Sequence, residues 1–266
     1  MNLKLRFLGV GNAFCSNSLY QSNVAIELPD NKLFLIDCGS DIRHSMKECY
    51  PDINNGNVGK KIKYIYISHI HSDHVGGLEW PAFCTYFSPE QNKNIGLLVP
   101  NEMYNDLWDE TLKGSLKTVT GKDNVCLQDY FKISKLINGF NLKDHTDSVK
   151  LDLVKSIHIK SSDNKFSYGL FIRNGDKKTY YTTDVIFENY KTYSDLYNEA
   201  TLIFHDCETT PFKSGVHSHY EELLTLPDDI KSKMYLYHYS DDALDRYNPI
   251  EDGFLGFVKK DDVYDI

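Results

Sequence analysis

Residues 69–77, His-Ile-His-Ser-Asp-His-Val-Gly-Gly, contain three histidines and one aspartate within six positions. They follow residues 62–68, Ile-Lys-Tyr-Ile-Tyr-Ile-Ser, whose β-branched and aromatic side chains are typical of a strand. Buried, such polar groups would each cost roughly several kcal/mol unless they were paired or bound to a metal. A solvated polar loop could have the same composition, but four ligand-type residues so close together favour a metal site at the end of this strand.

The spacing within this segment indicates two metal sites. On the extended chain that leaves the strand, His69 and His71 share one face. Asp73 and His74 follow, where the chain turns into the glycines. One pair can therefore serve one ion and the other pair a second. Imidazole nitrogen and carboxylate oxygen suit divalent ions, so we expect two Zn²⁺ ions, with Mn²⁺ as the alternative.

Length and charge restrict the possible partners. The 266 residues can bury a substantial core, and 41% hydrophobic with 25% charged residues is ordinary for a globular protein. With 29 basic and 38 acidic side chains the formal net charge is −9. An acidic surface repels phosphate backbones, so we expect no stable nucleic-acid partner. Bound cations could still attract a small anionic substrate.

The six cysteines form neither a C-x-x-C pair nor a disulfide framework, which predicts reduced thiols in a cytoplasmic protein. At the start of the sequence, charges alternate with apolar residues, as in a strand and unlike a signal peptide. No apolar run approaches the ~20 residues that span a bilayer, so we expect no membrane partner.

The order of elements predicts an α/β fold of the αββα type, in which two packed mixed β-sheets carry helices on their outer faces. Alternation and turn residues predict strands at 3–8, 23–28, 32–37, 62–68, 95–99, 149–159, 166–172, 178–183, 201–205 and 234–239. Helices are predicted at 40–49, from 100 onward, at 190–199 and at 219–226. No repeat or linker interrupts the chain, so we expect one domain over residues 1–266.

The pattern His69-x-His71-x-Asp73-His74 after a strand resembles the signature of the metallo-β-lactamase superfamily. FLGVGNAF (7–14) resembles the first strand and loop of the branch that contains tRNase Z and related phosphodiesterases. LIDCG (35–39) resembles the strand end at which this superfamily carries an aspartate that holds a metal-bound histidine, a role we assign to Asp37. A turn or helix-cap aspartate is the alternative.

The resemblance implies that the remaining ligands are His158, Asp184 and His238, each near the end of a later strand. It implies one ion on His69, His71 and His158, a second on Asp73, His74 and His238, and Asp184 as the bridge. Strand alternation places His158 on the face opposite to Ile157 and Ile159. His145, in the polar stretch 143–147, is the rival for the role of His158.

FHDC (204–207) and GVHSH (215–219) resemble the segments in which the tRNase Z-like branch pairs an acid with a histidine. The resemblance implies that His217, oriented by Asp206, donates a proton to the leaving oxygen. Aspartate replaces the branch's glutamate, which shortens the reach, and His219 is an alternative donor. A helix entry capped by Ser218 would explain the segment without catalysis.

These parts together predict hydrolysis of a phosphodiester. Two bound divalent ions would lower the pKa of a shared water and clamp a phosphoryl oxygen. Asp73 would orient the attacking hydroxide, and His217 would be the general acid.

The fold supports several chemistries, so the substrate class depends on further details. A metallo-β-lactamase proper would have cysteine at position 184, and a flavo-diiron protein would read H-x-E-x-D. Glyoxalase-like thiolesterases share the ligands and are not excluded by them. tRNase Z inserts a long arm between its third metal histidine and its bridging aspartate, but only 26 positions lead from 158 to 184. The substrate should therefore be small.

The compact interval, the FLGVGNAF start and the HSHY segment (217–220) resemble phage anti-Pycsar proteins, which hydrolyse 3′,5′-cyclic nucleotides. The resemblance implies conversion of cyclic UMP, CMP, AMP and GMP to linear monophosphates, which would counteract Pycsar signalling. It also implies a homodimer and a phage protein that acts in the host cytoplasm. The alternatives are a hydrolase of cyclic ribose phosphates, a tRNase Z-like endonuclease, and a sponge that binds cyclic nucleotides without cleaving them.

Overall fold

The computed structural model describes residues 3–88, 95–142 and 149–266, which form two β-sheets of seven strands each. The strands are β1 Lys4–Phe7, β2 Val24–Glu27, β3 Leu33–Ile36, β4 Ile62–Tyr66, β5 Gly96–Pro100, β6 Lys132–Leu136, β7 Gly139–Asn141, β8 Val149–Ile159, β9 Lys165–Asn174, β10 Lys177–Tyr181, β11 Leu202–Asp206, β12 Met234–Tyr237, β13 Gly256–Phe257 and β14 Val263–Asp265. The first sheet has the order β14-β1-β2-β3-β4-β5-β6, and the second has the order β13-β12-β11-β10-β9-β8-β7. Both sheets contain parallel and antiparallel pairs, which confirms the prediction of two mixed sheets.

The helices are short and lie between the strands. The α-helices are Ile42–Cys49, Val58–Lys61, Ser72–Val75, Glu79–Tyr86, Leu127–Tyr130, Asn189–Thr192, Ser194–Glu199, Tyr220–Leu223, Asp228–Lys231 and Ala243–Arg246. Residues 101–116 form one helical segment, which begins with a 3₁₀ turn at Asn101–Met103 and contains a π turn at Leu107–Leu112.

The two sheets pack face to face over one hydrophobic core. Phe7 on β1 contacts the rings of Tyr181, Phe204 and Tyr237 on the second sheet at centroid distances of 6.4, 5.0 and 5.8 Å. Aromatic pairs at such distances add to the stabilisation that their buried area provides. A core shared by both sheets favours the predicted single domain.

Helices cover the outer faces of both sheets. Ile42 and Met46, one helical turn apart, are fully buried in a second core cluster against strand residues such as Leu35 on β3. On the second sheet, Tyr197 of the helix Ser194–Glu199 contacts Tyr180 of β10 edge to face at 5.2 Å. This arrangement confirms the predicted αββα architecture.

Three predicted elements are shorter or more broken than expected. The strand predicted at 62–68 ends at Tyr66, because the backbone N–H of Ser68 donates to the Asp37 carboxylate (2.8 Å) and not to a neighbouring strand. The helix predicted at 190–199 is broken at Tyr193, whose hydroxyl donates to the carbonyl of Lys155 on β8.

The helix predicted at 219–226 is confined to Tyr220–Leu223. Leu226 precedes Pro227, and the residue before a proline is disfavoured in helical geometry. Strands β6, β7, β13 and β14 were not predicted, because short segments give little alternation.

In the part of the chain that the structure describes, no helix combines the length and the apolar character that crossing a bilayer would require. The polar stretch that holds the rival ligand His145 lies outside the described residues.

Candidate metal centre

The predicted ligands come from both sheets and meet at one edge of the sandwich. His69, His71, Asp73 and His74 follow β4 of the first sheet. His158 lies on β8, Asp184 follows β10 and His238 follows β12, all in the second sheet. Because the carboxyl ends of these strands point to the same edge, residues far apart in the sequence become neighbours.

His69, His71 and His158 form the first group, together with Asp184. Nε2 of His158 lies 3.1 Å from Nδ1 of His71, and Nε2 of His69 lies 3.6 Å from Oδ2 of Asp184. The pairing register of β8 and β9 shifts between Ile157 and Ile159, so His158 occupies an irregularity of the kind that often re-aims a side chain near active sites.

Asp73, His74 and His238 form the second group, again with Asp184. Nε2 of His74 lies 3.3 Å from Oδ2 of Asp73 and 3.3 Å from Oδ2 of Asp184. Nε2 of His238 lies 3.4 Å and 3.6 Å from the same two oxygens. Asp184 therefore stands between the two groups, where the resemblance placed the bridging carboxylate.

The distances between these side chains fit metal ions. Two atoms bound at about 2.0–2.1 Å to one tetrahedral ion lie about 3.3 Å apart, close to the separations in both groups. Nε2 of His69, Nε2 of His74 and Oδ1 of Asp184 are buried and have no hydrogen-bond partner. Unpartnered buried polar atoms are rare in proteins, and facing one another they form a ready set of ligands. The residues present fit two divalent ions.

The electrostatics of the centre also favour cations, because four carboxylates are buried within it. Asp37, Asp73, Asp184 and Asp206 are each at most 5% exposed. Burial opposes the charged form of Asp184, but the neighbouring His238 and His74 hold its pKa well below the usual value. Asp206 behaves similarly: His217 lowers its pKa to about 2 against the effect of burial. Buried carboxylates require nearby positive charge, and bound metal ions would add to what the histidines provide.

The pKa values of the histidines shift in opposite directions in the two groups. Burial lowers the pKa of His69 and His71, and it lowers the pKa of His158 to about 4. Burial also acts on His74 and His238, but nearby carboxylates, Asp184 above all, outweigh it. They raise the pKa of His74 well above its usual value and that of His238 to about 10.

Asp37 holds the ligands of β4 through a buried hydrogen-bond network. Its Oδ2 lies 2.8 Å from Nδ1 of His74 and also accepts from the hydroxyl of Ser68 (2.8 Å). Because the Ser68 hydroxyl donates its only proton to Asp37, its oxygen can only accept from other groups. Nδ1–H of His69 (3.0 Å) and the hydroxyl of Thr183 (2.8 Å) therefore both donate to it. Both histidines therefore carry their proton on Nδ1 and present Nε2 to the centre.

Sequence analysis missed Ser68 and Thr183. The only signal was that Ser68 directly precedes the first histidine of the motif.

The backbone is strained at three of the strand ends that form the centre. Asp37, Thr183 and His238 have φ angles of 67°, 55° and 69°, in the left-handed region that non-glycine residues seldom adopt. Such strain costs of order 1–3 kcal/mol per residue and clusters at functional sites. Here it turns each chain sharply out of its sheet and into the centre.

Glycine permits the close approach of two of these segments. A Cβ atom on Gly39, which follows β3, would lie 2.0 Å from the carbonyl oxygen of Asp73. A Cβ atom on Gly77 would lie 2.2 Å from the carbonyl oxygen of Gly39. The glycines of LIDCG and HVGG therefore let the chain that carries Asp37 pack directly against the ligand segment.

His217 lies beside both groups, between His158 and His238, at ring-centroid distances of 5.1 and 4.7 Å. Its Nδ1 lies 3.0 Å from Oδ2 of Asp206, and 18% of its side-chain surface is exposed. Burial lowers its pKa, but Asp206 more than offsets this, so the net shift is upward. The imidazolium that could donate a proton is thus stabilised.

Asp206 has three neighbours, of which His217 is the candidate acid and His238 belongs to the second group. Besides His217, it accepts from the backbone N–H of Val185 (3.0 Å), and its Oδ1 lies 3.3 Å from Nδ1 of His238. Asp184, Asp206, His217 and His238 could also surround an ion. Oδ2 of Asp206 is engaged by these donors, and its Oδ1, which has no hydrogen-bond partner, lies beside Nδ1 of His238; this favours a role in orienting the two histidines.

His219, the alternative proton donor, is engaged elsewhere. Its Nδ1 accepts from the backbone N–H of Glu221 (3.3 Å) and caps the helix Tyr220–Leu223, while Nε2 donates to the carbonyl of Thr210 (2.9 Å). Ser218 does not cap this helix, because its hydroxyl donates to the carbonyl of Val185 (2.8 Å). The carbonyl of Val216, a further group that sequence analysis missed, accepts from Nδ1 of His158 (2.7 Å) and leaves Nε2 facing the centre.

A cavity of about 620 Å³ adjoins the first group, within the range of pockets that hold small ligands. Its lining includes His69, His71 and His158, the helical segment 101–116, and the start of β9.

Comparison with known proteins identifies the family. Residues 3–264 match the family model described as "Anti-Pycsar protein Apyc1". An anti-Pycsar protein Apyc1 of Bacillus phage BSP38 is 31% identical over 246 residues, which cover 91% of each chain. One from Paenibacillus xerothermodurans is 32% identical over 267 residues and covers 99% of this chain and 98% of its own.

Among solved structures, the metallo-β-lactamase fold protein YhfI from Bacillus subtilis superimposes with a TM-score of 0.69 at 14% identity, with all of both chains covered. The protein has the metallo-β-lactamase fold, as its motif predicts. The match over nearly the whole sequence shows that this chain belongs to the anti-Pycsar protein Apyc1 family.

Proposed function

We propose that this protein is a binuclear metal-dependent phosphodiesterase that hydrolyses 3′,5′-cyclic nucleotides to linear nucleoside monophosphates. The observation that carries the proposal is the position of Asp184. Its Oδ2 lies 3.3–3.9 Å from nitrogens of both ligand groups, and 3.8 Å from His217. One carboxylate is thus within reach of two candidate ion sites and of a candidate acid, an arrangement that suits displacement at phosphorus.

The first group with Asp184 would hold one ion, and the second group with Asp184 the other. Bound there, two divalent ions, Zn²⁺ in our expectation, would supply Lewis-acid stabilisation of the phosphoryl oxygens and an activated water. Asp73 would accept a hydrogen bond from the attacking water and orient it. Because His217 is the accessible member of the pair, it would donate its proton to the leaving ribose oxygen, while Asp206 holds its ring in place.

Two features favour a small substrate. The interval between His158 and Asp184 is filled by the hairpin of β9 and β10 and its two short turns. Those residues are all described, and they include no arm that could grip a tRNA. The cavity of about 620 Å³ beside the first group is large enough for a mononucleotide.

The names of the relatives support the biological role. Proteins of a Bacillus phage and of a Paenibacillus species that match along most of this chain are both named anti-Pycsar proteins. We propose that this protein likewise removes a cyclic nucleotide signal of Pycsar defence, in the cytoplasm of a bacterial host and as a homodimer. Light scattering at micromolar concentration tests the homodimer, and a monomer mass would contradict it.

The test of the activity is incubation of metal-loaded protein with cyclic UMP, CMP, AMP and GMP. Each reaction runs with and without a chelator, and a precursor tRNA and a cyclic ribose phosphate run alongside. We expect chelator-sensitive formation of linear monophosphates and no change in the tRNA. Preference for the cyclic ribose phosphate would favour that alternative. Binding of a cyclic nucleotide without product would make the protein a sponge, and cleavage of the tRNA alone would reject the proposal.

A further inference from the structure

Asn189, the first residue of the helix Asn189–Thr192, hydrogen-bonds the residue that precedes a candidate ligand. Its side-chain oxygen accepts from the backbone N–H of Ile157 (3.2 Å). Its amide nitrogen donates to the carbonyl of the same residue (2.7 Å) and to that of Ile186 (3.3 Å). Asn189 is only 6% exposed, and Ile157 immediately precedes His158 in the sequence. One buried amide therefore holds the backbone beside a ligand of the first group.

The amide acts where β8 has passed its neighbour in the sheet. β7 pairs with residues 150–152 of β8, and Ile157 lies five residues farther along, about 16 Å away. There the Asn189 amide bonds to both polar groups of the Ile157 backbone, as a neighbouring strand would. The backbone N–H of Ile186 donates to the same carbonyl (3.3 Å). The segment 186–189 thus takes the place of a strand along this part of β8.

The irregularity at His158 makes this support important. The pairing of β8 with β9 steps from Ile157 to Ile159, so His158 is the extra residue. The extra residue of a bulge is left unpaired in the ladder. The position of the His158 backbone therefore depends on what holds the residues beside it, and Asn189 holds the residue before it.

The same amide also reaches the segment that carries the shared carboxylate. Ile186 lies two residues after Asp184, and Oδ2 of Asp184 lies 3.9 Å from Nε2 of His158. Asn189 donates to the carbonyls of both Ile157 and Ile186. It therefore links the backbone beside His158 with the backbone beside Asp184.

A role confined to its own helix does not explain these contacts. An asparagine at the start of a helix commonly accepts from a backbone N–H of the first turn. The side-chain oxygen of Asn189 accepts instead from β8, 32 positions away in the sequence. Only the bond to Ile186 is local.

We propose that Asn189 is a positioning residue of the metal centre, which fixes His158 at the distance from Asp184 that the first ion requires. The inference rests on the proposed function, since it assumes that the two groups hold ions. Without the amide, the backbone of Ile157 would lose two hydrogen bonds and the bulged His158 would shift relative to Asp184. His158 belongs to the first group and not to the second. The first ion should therefore be weakened more than the second.

The test measures the ratio of the two Zn²⁺ affinities by competition with a chromogenic chelator. Asn189→Ala removes the whole amide. Asn189→Asp keeps the size of the side chain and the oxygen that accepts from Ile157, but removes the donors. Its added charge would act on both ions, so the ratio is the quantity to compare. The same two substitutions at Asn174 are the matched controls, because that buried asparagine donates to the carbonyl of Ile266 (2.7 Å) at the far end of β9.

We expect Asn189→Ala to shift the ratio against the first ion by roughly three- to tenfold. That is less than the loss of about 10–100-fold that is typical when a group in direct contact with a ligand is removed. Asn189→Asp should shift the ratio in the same direction, and the Asn174 variants should keep the wild-type ratio. His71→Ala, which removes a ligand of the first group alone, shows which of the two affinities belongs to the first ion.

A wild-type ratio in the Asn189 variants, or an equal loss of affinity for both ions, would overturn the inference. Either result, with or without a fall in Tm, would describe a residue that only supports the fold. Failure of the wild-type protein to bind two ions would overturn it as well.

These outcomes are separate from the proposed activity. Hydrolysis of cyclic nucleotides with an unchanged ratio would leave the function standing without this role for Asn189. A shifted ratio in a protein that cleaves no cyclic nucleotide would leave the role standing for a metal centre with another substrate.

Discussion

The two ligand groups contain similar residues but have different surroundings. In His69, His158, His74 and His238, Nε2 faces the centre and Nδ1 is the outer nitrogen. In the first group, Nδ1 of His69 contacts the Ser68 hydroxyl and Nδ1 of His158 contacts the Val216 carbonyl, and both of these oxygens are uncharged. In the second group, the outer nitrogens of His74 and His238 lie 2.8 and 3.3 Å from the carboxylates of Asp37 and Asp206.

This difference in surroundings separates the pKa values. Burial lowers the pKa of the histidines of the first group, while the carboxylates around the second group, Asp184 foremost, raise the pKa of His74 and His238 despite burial. A metal ion binds only deprotonated imidazole, so protons compete with metal more strongly at the second group than at the first. Carboxylates behind the ligands make them more basic and also hold them more firmly once metal is bound.

The largest effect is expected from the residue that both groups share. Asp184→Ala should abolish binding of both ions and lower hydrolysis by roughly 10³-fold, because several kcal/mol of transition-state stabilisation are lost. Metal analysis of the purified protein and a rate measurement check this. Asp176→Ala, in the exposed turn before β10, is the control and should keep both ions. Two bound ions in the Asp184 variant would show that the groups do not share it.

His217 lies beside both groups, and its loss should lower the rate of hydrolysis without changing the metal content. His217→Ala is expected to lower kcat by about 10²–10⁴-fold through loss of proton donation, with the ion content unchanged. His219→Ala is the matched control, because that ring caps a helix. It should keep the rate within a few-fold and lower the free energy of unfolding by about 1 kcal/mol. An unaltered rate in the first variant would remove His217 from the mechanism.

Asp37 tests the charged surroundings of the second group. Asp37→Asn keeps the shape of the side chain but removes the carboxylate behind His74, so the affinity of the second ion should fall by about 10–100-fold. Competition with a chromogenic chelator measures the two affinities separately. An equal loss of affinity for both ions would contradict this. It would mean that the hydrogen bonds from Asp37 through Ser68 to His69 support the first ion as much as the direct contact with His74 supports the second.

Ser68 tests the uncharged surroundings of the first group and should give the smallest effect. Ser68→Ala removes a neutral acceptor behind His69, and we expect the affinity of the first ion to fall by about tenfold. Ser45→Ala is the control, since that buried hydroxyl bonds to the carbonyl of Ile42 in a helix outside the centre. A loss larger than that of Asp37→Asn would reverse the ranking of the two groups.

The ligands could be predicted from the sequence because their chemistry is concentrated. Four of the candidate ligands fall within six positions, and His158, Asp184 and His238 lie at or near the ends of predicted strands. The surroundings could not be predicted, since they arise from contacts between segments far apart in the chain. Ser68 and Thr183 are 115 positions apart, and common hydroxyl residues such as these carry no signal of a shared hydrogen bond.

The same limit applies to the cavity wall. The sequence predicts a helix from residue 100 onward, and the structure has helical turns over residues 101–116. The π turn at Leu107–Leu112 depends on how the segment packs. So does the position of Glu102, Asp106 and Glu110 along the cavity. Local propensity does not contain that information.

Each ligand group draws side chains from both sheets, and this has a consequence for the order of folding. Neither sheet alone can present a complete site, so a tight site exists only after the sandwich has closed. Asp37 and Asp206, which must settle on either side of it, are 169 positions apart in the chain. Ions that bind only the closed state shift the folding equilibrium toward it, by about 2.7 kcal/mol for each ion at a free concentration 100 times its Kd. If the centre binds metal as proposed, metal supply would thus govern how long the protein survives proteolysis as well as how fast it works.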